Sequence, residues 1–308
     1  MLACEKLLLK LLIISKLMSS RETSFRELGW DTGLDYATVV KLIKELSKNY
    51  VLRIDGEKVY WDPADNPSTL KPWGWRLVHA PFLGSTQDAA RKYGPWSIIV
   101  AEYLIQAKGR HGKTWKTGFG GLWFTVSMSL PPEQAMLLPI ATPVIIARTL
   151  NNLYKINAKI KWPNDIVVNG KKIAGILIEA EAFPSNFIIY VGIGINVNND
   201  VTLKEAISLK KIVGLKPRNR VFASVIGWFS RLKKIIEDKE ELLKTYLENL
   251  DTLGRKVIVE TVAGEVEGIA EDVTENGSIV IKTSSGVKIF DPMTVLRLRY
   301  KEQEETMG

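Results

Sequence analysis

The chain has 308 residues, 46% of them hydrophobic and 25% charged, with a formal net charge of +8. That length calls for two or three domains, and the balance supports packed cores and excludes wholesale disorder. A single cysteine, Cys4, and two histidines, His79 and His111, exclude an internal disulfide and leave no zinc-ligand spacing, so a reducing, cytoplasmic setting is expected.

The chain opens on an apolar run, Leu7 to Met18. Lys10, Ser15 and Lys16 interrupt it, no small-x-small cleavage site follows, and it is too short to span a bilayer. It reads as a core helix over 3–18, and no membrane association is expected. A second helix starts over 24–28. Asp35 reads as the N-cap of a third, whose Val39, Leu42, Ile43 and Leu46 form one apolar face. Residues 52–61 alternate about Asp55-Gly56 and read as a hairpin. Three helices and a hairpin outline a winged helix-turn-helix over residues 1–66. Its ten Lys/Arg are balanced by ten Asp/Glu. Tyr36, Thr38 and Lys41 stand at the N-terminal end of the third helix, where a recognition helix meets bases. DNA binding on one side, packing or dimerisation on the other, both stay open.

A loop, 62–67, leads into a mixed segment, 67–250. There Trp73 and Trp75 read as junction packing and His79 as structural. Thr86 reads as the cap of a helix that Gly94 ends. Strands are expected over 96–103 and 122–130, with a glycine-rich loop over 108–121 between them. A helix over about 133–153 carries Pro139 and Pro143 as kinks. Asn169-Gly170 is a hairpin signal joining strands 166–168 and 173–178. A strand over 187–196 and a mostly helical stretch, 222–250, follow. From Gly254 short alternating strands recur, over 256–261, 265–272, 278–282, 287–290 and 295–299, the pattern of a small β-barrel over 251–308. The final residues, 301–308, are expected to fray.

Three stretches carry candidate chemistry. Residues 70–125 hold eight Lys/Arg against Asp88 and Glu102, a surplus beside the glycine-rich loop that an anionic ligand explains. Lys108, Arg110, Lys113 and Lys116 on that loop suit phosphates. The loop is not a P-loop, because GxxxxGK[ST] is absent. In the hairpin, Asp165 suits Mg²⁺, which usually takes one or two carboxylates, and Lys172 follows the turn. In Val191–Asn198, Gly192 and Gly194 alternate with isoleucines, as where a ligand or another backbone comes close. Each stretch alone also reads blandly, as a solvated loop, an exposed hairpin and a tightly packed sheet.

Together, and in this order, they resemble the biotin–protein ligase family. The family's GRGRxGRxW loop is met by Ala107-Lys108-Gly109-Arg110-His111-Gly112-Lys113-Thr114-Trp115. Its KWPNDxxxxxxKxxGIL is intact from Lys161 to Leu177, with the second lysine at Lys172, and its GIGxN is Gly192 to Asn196. Its Ser-Thr-Asn is met by Ser85-Thr86-Gln87. The departures are Gln87 for asparagine, Lys108 and Lys113 for arginines, and Leu104 and Ile105 where bacterial members carry a glutamine, with Gln106 out of register. The winged helix and final barrel are similar to those of the longer, regulatory members.

The resemblance implies an α+β fold whose central mixed sheet is like that of class II aminoacyl-tRNA synthetases, with an SH3-like final barrel. It implies activation of biotin as biotinyl-5′-AMP with ATP and Mg²⁺, then transfer to a lysine of a biotin carrier protein. Lys172 and Arg110 are then catalytic. Ser85, Thr86, Gln106, Lys172, Gly175, Gly192 and Gly194 hold biotin. Lys108, Gly109, Arg110, His111, Gly112, Trp115, Asn164 and Asn196 hold the nucleotide, and Asp165 holds the metal. A homodimer and operator DNA are the further partners implied. A DNA-binding biotin sensor without catalysis, and a lipoate–protein ligase, are the alternatives.

Overall fold

A computed structural model of the protein describes residues 3–20 and 22–301. Of the tail expected to fray, all but Lys301 lies outside the described residues. The chain begins with α1 (Ala3–Ser19), β1 (Thr23–Ser24), α2 (Phe25–Thr32), α3 (Tyr36–Leu46), β2 (Leu52–Asp55) and β3 (Lys58–Trp61), the strands pairing in the order β1-β3-β2. Local chemistry sets the helix ends. Ser24 and Glu27 form a reciprocal capping box at the start of α2, and Gly33, at φ 69°, ends it in the left-handed region. The Asp35 carboxylate accepts from Thr38 N and caps α3. The expected apolar face of α3 is fully buried against Ile13, Ile14, Leu17, Phe25 and Leu28.

The middle holds β4 (Arg76–Ala80), α4 (Thr86–Tyr93), β5 (Ser97–Ala101), β6 (Leu122–Leu130), α5 (Pro132–Ala135), α6 (Leu138–Tyr154), β7 (Ala158–Lys161), β8 (Asp165–Val168), β9 (Lys171–Ala182) and β10 (Phe187–Ile195). Then come α7 (Leu209–Val213), α8 (Asn219–Phe229), α9 (Leu232–Glu237) and α10 (Lys239–Glu248). The seven strands form one mixed sheet, β4-β5-β6-β10-β9-β8-β7, in which only β4 and β5 run parallel. One face of the sheet is apolar. Phe124, Val126, Ile176, Val191 and Ile193 pack there on α6 and α8, with the Phe124 and Phe222 rings 5.0 Å apart. The other face carries Thr125, Gly175, Leu177, Gly192 and Gly194. It is covered by α4 and by the glycine-rich loop.

Several expectations change here. Ser85, not Thr86, caps α4: its backbone is extended and its Oγ accepts from Asp88 N. The single helix expected over 133–153 is two. Pro139 lies in the first turn of α6, where a missing N–H breaks no helical bond. The stretch 222–250 is three short helices. Trp73 is 95% exposed and packs no junction, whereas Trp75 lies against Trp96 and donates to Ser230 Oγ.

The last part is a five-stranded antiparallel sheet: β11 (Lys256–Thr261), β12 (Gly264–Val273), β13 (Ile279–Thr283), β14 (Gly286–Phe290) and β15 (Val295–Tyr300), ordered β14-β13-β12-β11-β15. Its Val257, Val259, Ile279 and Ile281 are continuous with the central core. Buried Trp162 joins the two parts, its indole N–H donating to Gly277 O and its backbone N–H to Thr252 Oγ1.

A buried cation, Arg218, and the Asn49 side chain, which donates to Asn198 O, dock the N-terminal part. Arg218 is fully buried and uses all five guanidinium N–H groups. Nε donates to Asp65 Oδ1, Nη1 to Glu102 Oε2 and Gly121 O, and Nη2 to Asp65 O and Glu102 Oε1. The other oxygen of Asp65 accepts from Val51 N and Trp61 Nε1. The guanidinium also lies 4.8 Å from the Tyr50 ring centroid. His79 donates from Nε2 to Glu102 at 2.7 Å, so its place is structural, as expected. Among the described residues no helix is long and apolar enough to cross a membrane.

Candidate functional site

A cavity of about 850 Å³ opens on the second face of the sheet, between α4, the glycine-rich loop, the 161–177 hairpin and β15. Its floor is made by glycines. Gly175 and Gly194 pair across β9 and β10, and Gly192 pairs with Leu177 two residues along. A Cβ on Gly175 would come within 2.5 Å of the Trp115 ring, and one on Gly194 within 3.0 Å of it. A Cβ on Gly192 would meet the Gln87 amide carbon at 3.0 Å. Glycine is therefore required there by the close approach of two side chains of this chain, Trp115 and Gln87, which line the cavity with the glycines.

Lys172 reaches the cavity because of a register shift. Val167 pairs with Lys172 but Ile166 pairs with Ala174, leaving Ile173 as an extra residue in β9. Ile173 and Ala174 both point into the apolar core and are fully buried. Strict alternation would have put Lys172 on the core face; the bulge turns it to the cavity face with Gly175. Its ammonium lies 2.6 Å from Asp165 Oδ1 and 4.7 Å from the Trp115 ring centroid. The contact with Asp165 is an ion pair without hydrogen-bond geometry, and that oxygen is buried with no other partner. Asp165 in turn pairs across the sheet with Lys161 and with Gly175, so all three share the cavity face. Burial pulls the Lys161 ammonium below its usual pKa; Asp165 opposes that, and the neighbouring charges of Lys172 and Arg297 add to it.

The basic loop folds back on itself. Gly109 N donates to Lys113 O and Trp115 N to Ala107 O, with His111 and Gly112 in the left-handed region between them. Lys108 donates to both oxygens of Asp88 on α4. The loop is also held by the C-terminal sheet. Arg110 donates to the carbonyls of Pro292 and Val295, His111 Nε2 to Val295 O, and Lys113 to Leu296 O. Arg110 Nη1 also donates to Asn164 Oδ1 at 3.4 Å, linking loop and hairpin. Burial pulls the Arg110 guanidinium down, against the charges of Asp165 and Asp291.

Most of the residues singled out by sequence converge on this cavity. Ser85, Thr86, Lys108, Gly109, Arg110, Trp115, Asn164, Asp165, Lys172, Gly175, Gly192, Gly194 and Asn196 all line it. Gln106, His111 and Gly112 do not; all three are exposed. Tyr36, Thr38 and Lys41 lie apart from it on α3. Among the lining residues that had been given no role are Gln87, Lys161 and Arg297. Lys161 was legible, since it stands four residues before Asp165 across a turn. Nothing in the sequence around Arg297, on β15, pointed to the cavity.

The comparisons with known proteins fall on the same residues. Residues 85–198 match the biotin/lipoate A/B protein ligase family, and residues 252–291 match the biotin protein ligase C-terminal domain. Together the two regions take in half of the chain. The chain belongs to the biotin protein ligase family. Enzymatically it is a biotin ligase. It is 28% identical over 233 residues to the bifunctional ligase/repressor BirA of Bacillus subtilis, covering 70% of this chain and 72% of that protein. It is 25% identical over 306 residues to BirA of Escherichia coli, covering 90% and 93%. The biotin protein ligase of Aquifex aeolicus, solved in complex with biotin and ATP, superposes with a TM-score of 0.64 at 28% identity. That alignment covers 73% of this chain and 99% of the other.

Proposed function

We propose that this ligase activates biotin with ATP as biotinyl-5′-AMP and passes the biotinyl group to one lysine of a biotin carrier protein. The observation that carries the reading is Lys172, turned by the β9 bulge onto a glycine floor opposite Asp165. In the first step a biotin carboxylate oxygen attacks the α-phosphorus of ATP and the bond to pyrophosphate breaks. In the second the carrier amine attacks the biotinyl carbonyl, AMP leaves and the amine loses a proton. Both steps need positioning and charge neutralisation more than covalent help from the protein. Lys172 bridges the biotin carboxylate and the α-phosphate. Arg110 and Lys108 steady the nucleotide from the loop, and Ser85 and Thr86 hydrogen-bond biotin. Trp115, flat over Gly175 and Gly194, walls the acid off from water.

The residues fit a magnesium ion carried in with ATP. Mg²⁺ takes one or two carboxylates and the substrate's phosphates, and Asp165 offers on the cavity wall a buried oxygen that accepts no hydrogen bond and has the Lys172 ammonium beside it. Bound there, the metal would neutralise phosphate charge. The domains follow as 1–66, 67–250 and 251–308, the last an SH3-like barrel.

A regulatory role joins this reading through α3. Its outward groove holds Lys41, Lys44 and Lys48. Glu45, the acid among them, is paired to Lys6 and Lys10 of α1 at 2.7 and 2.9 Å, which pull its carboxyl down to about 2. The face is thus more cationic than the neutral count over 1–66 implies. This supports a winged helix that binds operator DNA, with Tyr36, Thr38 and Lys41 toward the bases, in a homodimer.

The test is intact-mass spectrometry of a biotin carrier domain incubated with the protein, ATP and Mg²⁺, with biotin or lipoate in parallel. A gain of one biotinyl group with biotin alone is expected. No gain, or a gain with lipoate alone, refutes the reading. Lys172→Ala should slow the gain by about 10²–10³-fold, the scale of one lost transition-state donor.

A further inference from the structure

The family motif predicts asparagine at position 87, and this chain carries glutamine. Gln87 is 4% exposed and lies on the cavity wall above Gly192. Its Nε2 donates to two backbone carbonyls, Leu177 O at 3.1 Å on β9 and Tyr190 O at 3.3 Å on β10. Both neighbours are acceptors, so the amide nitrogen must face them and the carbonyl is fixed away from them. No protein donor reaches that Oε1 among the hydrogen bonds of the described residues, and the residue borders the cavity. It is a preoriented acceptor.

The groups beside it have the opposite polarity. Thr125, fully buried, donates its hydroxyl proton to Thr86 Oγ1 at 2.8 Å, which leaves the proton of Thr86 free to donate. Ser85 Oγ accepts from Asp88 N and likewise keeps its proton. The wall thus offers two hydroxyl donors and one fixed acceptor within three consecutive residues. A cyclic urea presents the complement, a carbonyl oxygen flanked by N–H groups. Gln106, the other glutamine near this end, is exposed and outside the cavity.

We propose that Gln87 Oε1 accepts a ureido N–H of biotin, and that Gln87 is the residue by which this chain selects a ureido acid over a ring without N–H such as lipoate. The proposal rests on the ligase reading above. A site built around a substrate N–H rejects an analogue lacking it, because its own buried acceptor is left unpaired.

The test is a thermodynamic cycle by titration calorimetry. Biotin and its two lactam analogues, each with one ureido N–H replaced by CH₂, are titrated into the wild-type protein and Gln87→Met, which keeps the volume. One lactam should bind the wild type about 10–100-fold more weakly than biotin, the scale of one unpaired buried acceptor. In Gln87→Met that selective loss should vanish, biotin should weaken and lipoate should be unchanged. If Gln87→Met does not fold, Gln87→Asn carries the same cycle, since it retracts the carbonyl by one methylene. Equal lactam penalties in variant and wild type overturn the proposal, because a merely structural role weakens all ligands alike. Absence of biotin binding by the wild type overturns the ligase reading itself, and this proposal with it.

Discussion

Replacing Arg218 with methionine removes the cation buried between the N-terminal part, β5 and α8 while keeping most of the side-chain volume. Asp65 then loses its counter-charge and Glu102 keeps only His79 beside it, in a site where neither carboxylate meets water: both are 0% exposed. Removing one member of a buried ion pair costs about 3–5 kcal/mol, mostly because the remaining charge is stranded. For a protein of this size each kcal/mol moves the melting temperature by roughly 2–4 °C, so a fall of about 6–20 °C is expected. Acid gives a second readout. Burial pushes Glu102 up, but the charges of Arg218 and His79 and their hydrogen bonds bring it down to about 2, from an ordinary 4.5. A carboxyl depressed in the folded state stabilises it above pH 4.5 and loses that contribution as the pH falls through about 2. In Arg218→Met the same carboxyl is raised instead, so the variant regains stability on acidification while the wild type loses it. Thermal melts from pH 7 to pH 3 should show a gap that is widest at neutrality and narrows in acid. A gap under about 2 °C at pH 7, where the buried-pair scale predicts several times that, would falsify the view that this cation holds the parts together. So would one that widens in acid.

Gly175→Ala puts a methyl group where the Trp115 ring lies, at 2.5 Å. It should destabilise by about 1–3 kcal/mol, as overpacking does, and shift tryptophan emission as the indole lifts from the sheet; unchanged emission and biotin affinity would remove Trp115 from the cavity wall. Lys44→Ala and Lys48→Ala should each lower the salt dependence of operator binding by about one unit in the slope of log K against log salt. An unchanged slope in both would mean that this face of α3 meets no phosphate.

The sequence showed the floor and the charges of the site more clearly than its walls. Glycine alternation in Val191–Asn198 points to a close approach from residue types alone. It does not say what approaches, and the nearest groups prove to be Trp115 and Gln87 of the same chain. The loop's charge was equally plain, but not its anchorage. Arg110, His111 and Lys113 donate to backbone carbonyls over 180 residues away, and a carbonyl has no signature in sequence. The N-terminal part shows the same limit. Its caps and apolar face were legible because they act within one turn of helix, whereas the docking of that part through Arg218 depends on residues 65, 102 and 218 meeting in space.

Lys172 is the sharpest instance. Counting back from Gly175 by strict alternation assigns Gly175 and Ile173 to one face, Ala174 and Lys172 to the other. Since Ala174 is in the core, Lys172 would be there too, an unpaired ammonium in an apolar interior. The sequence pattern therefore contains a contradiction, and the chain resolves it with one extra residue in β9. Burying both Ile173 and Ala174 stabilises the hairpin by apolar contact, and the reversed parity aims the lysine at Asp165 and the cavity. A bulge is the cheapest way to change face without ending a strand, and it holds Lys172 on a rigid element rather than on a loop. Pairing these same residues in strict alternation, without the bulge, would turn Lys172 inward and abolish the cavity-face cation. With two apolar residues between Lys172 and Gly175, the bulge is what puts both the lysine and the glycine on the cavity face.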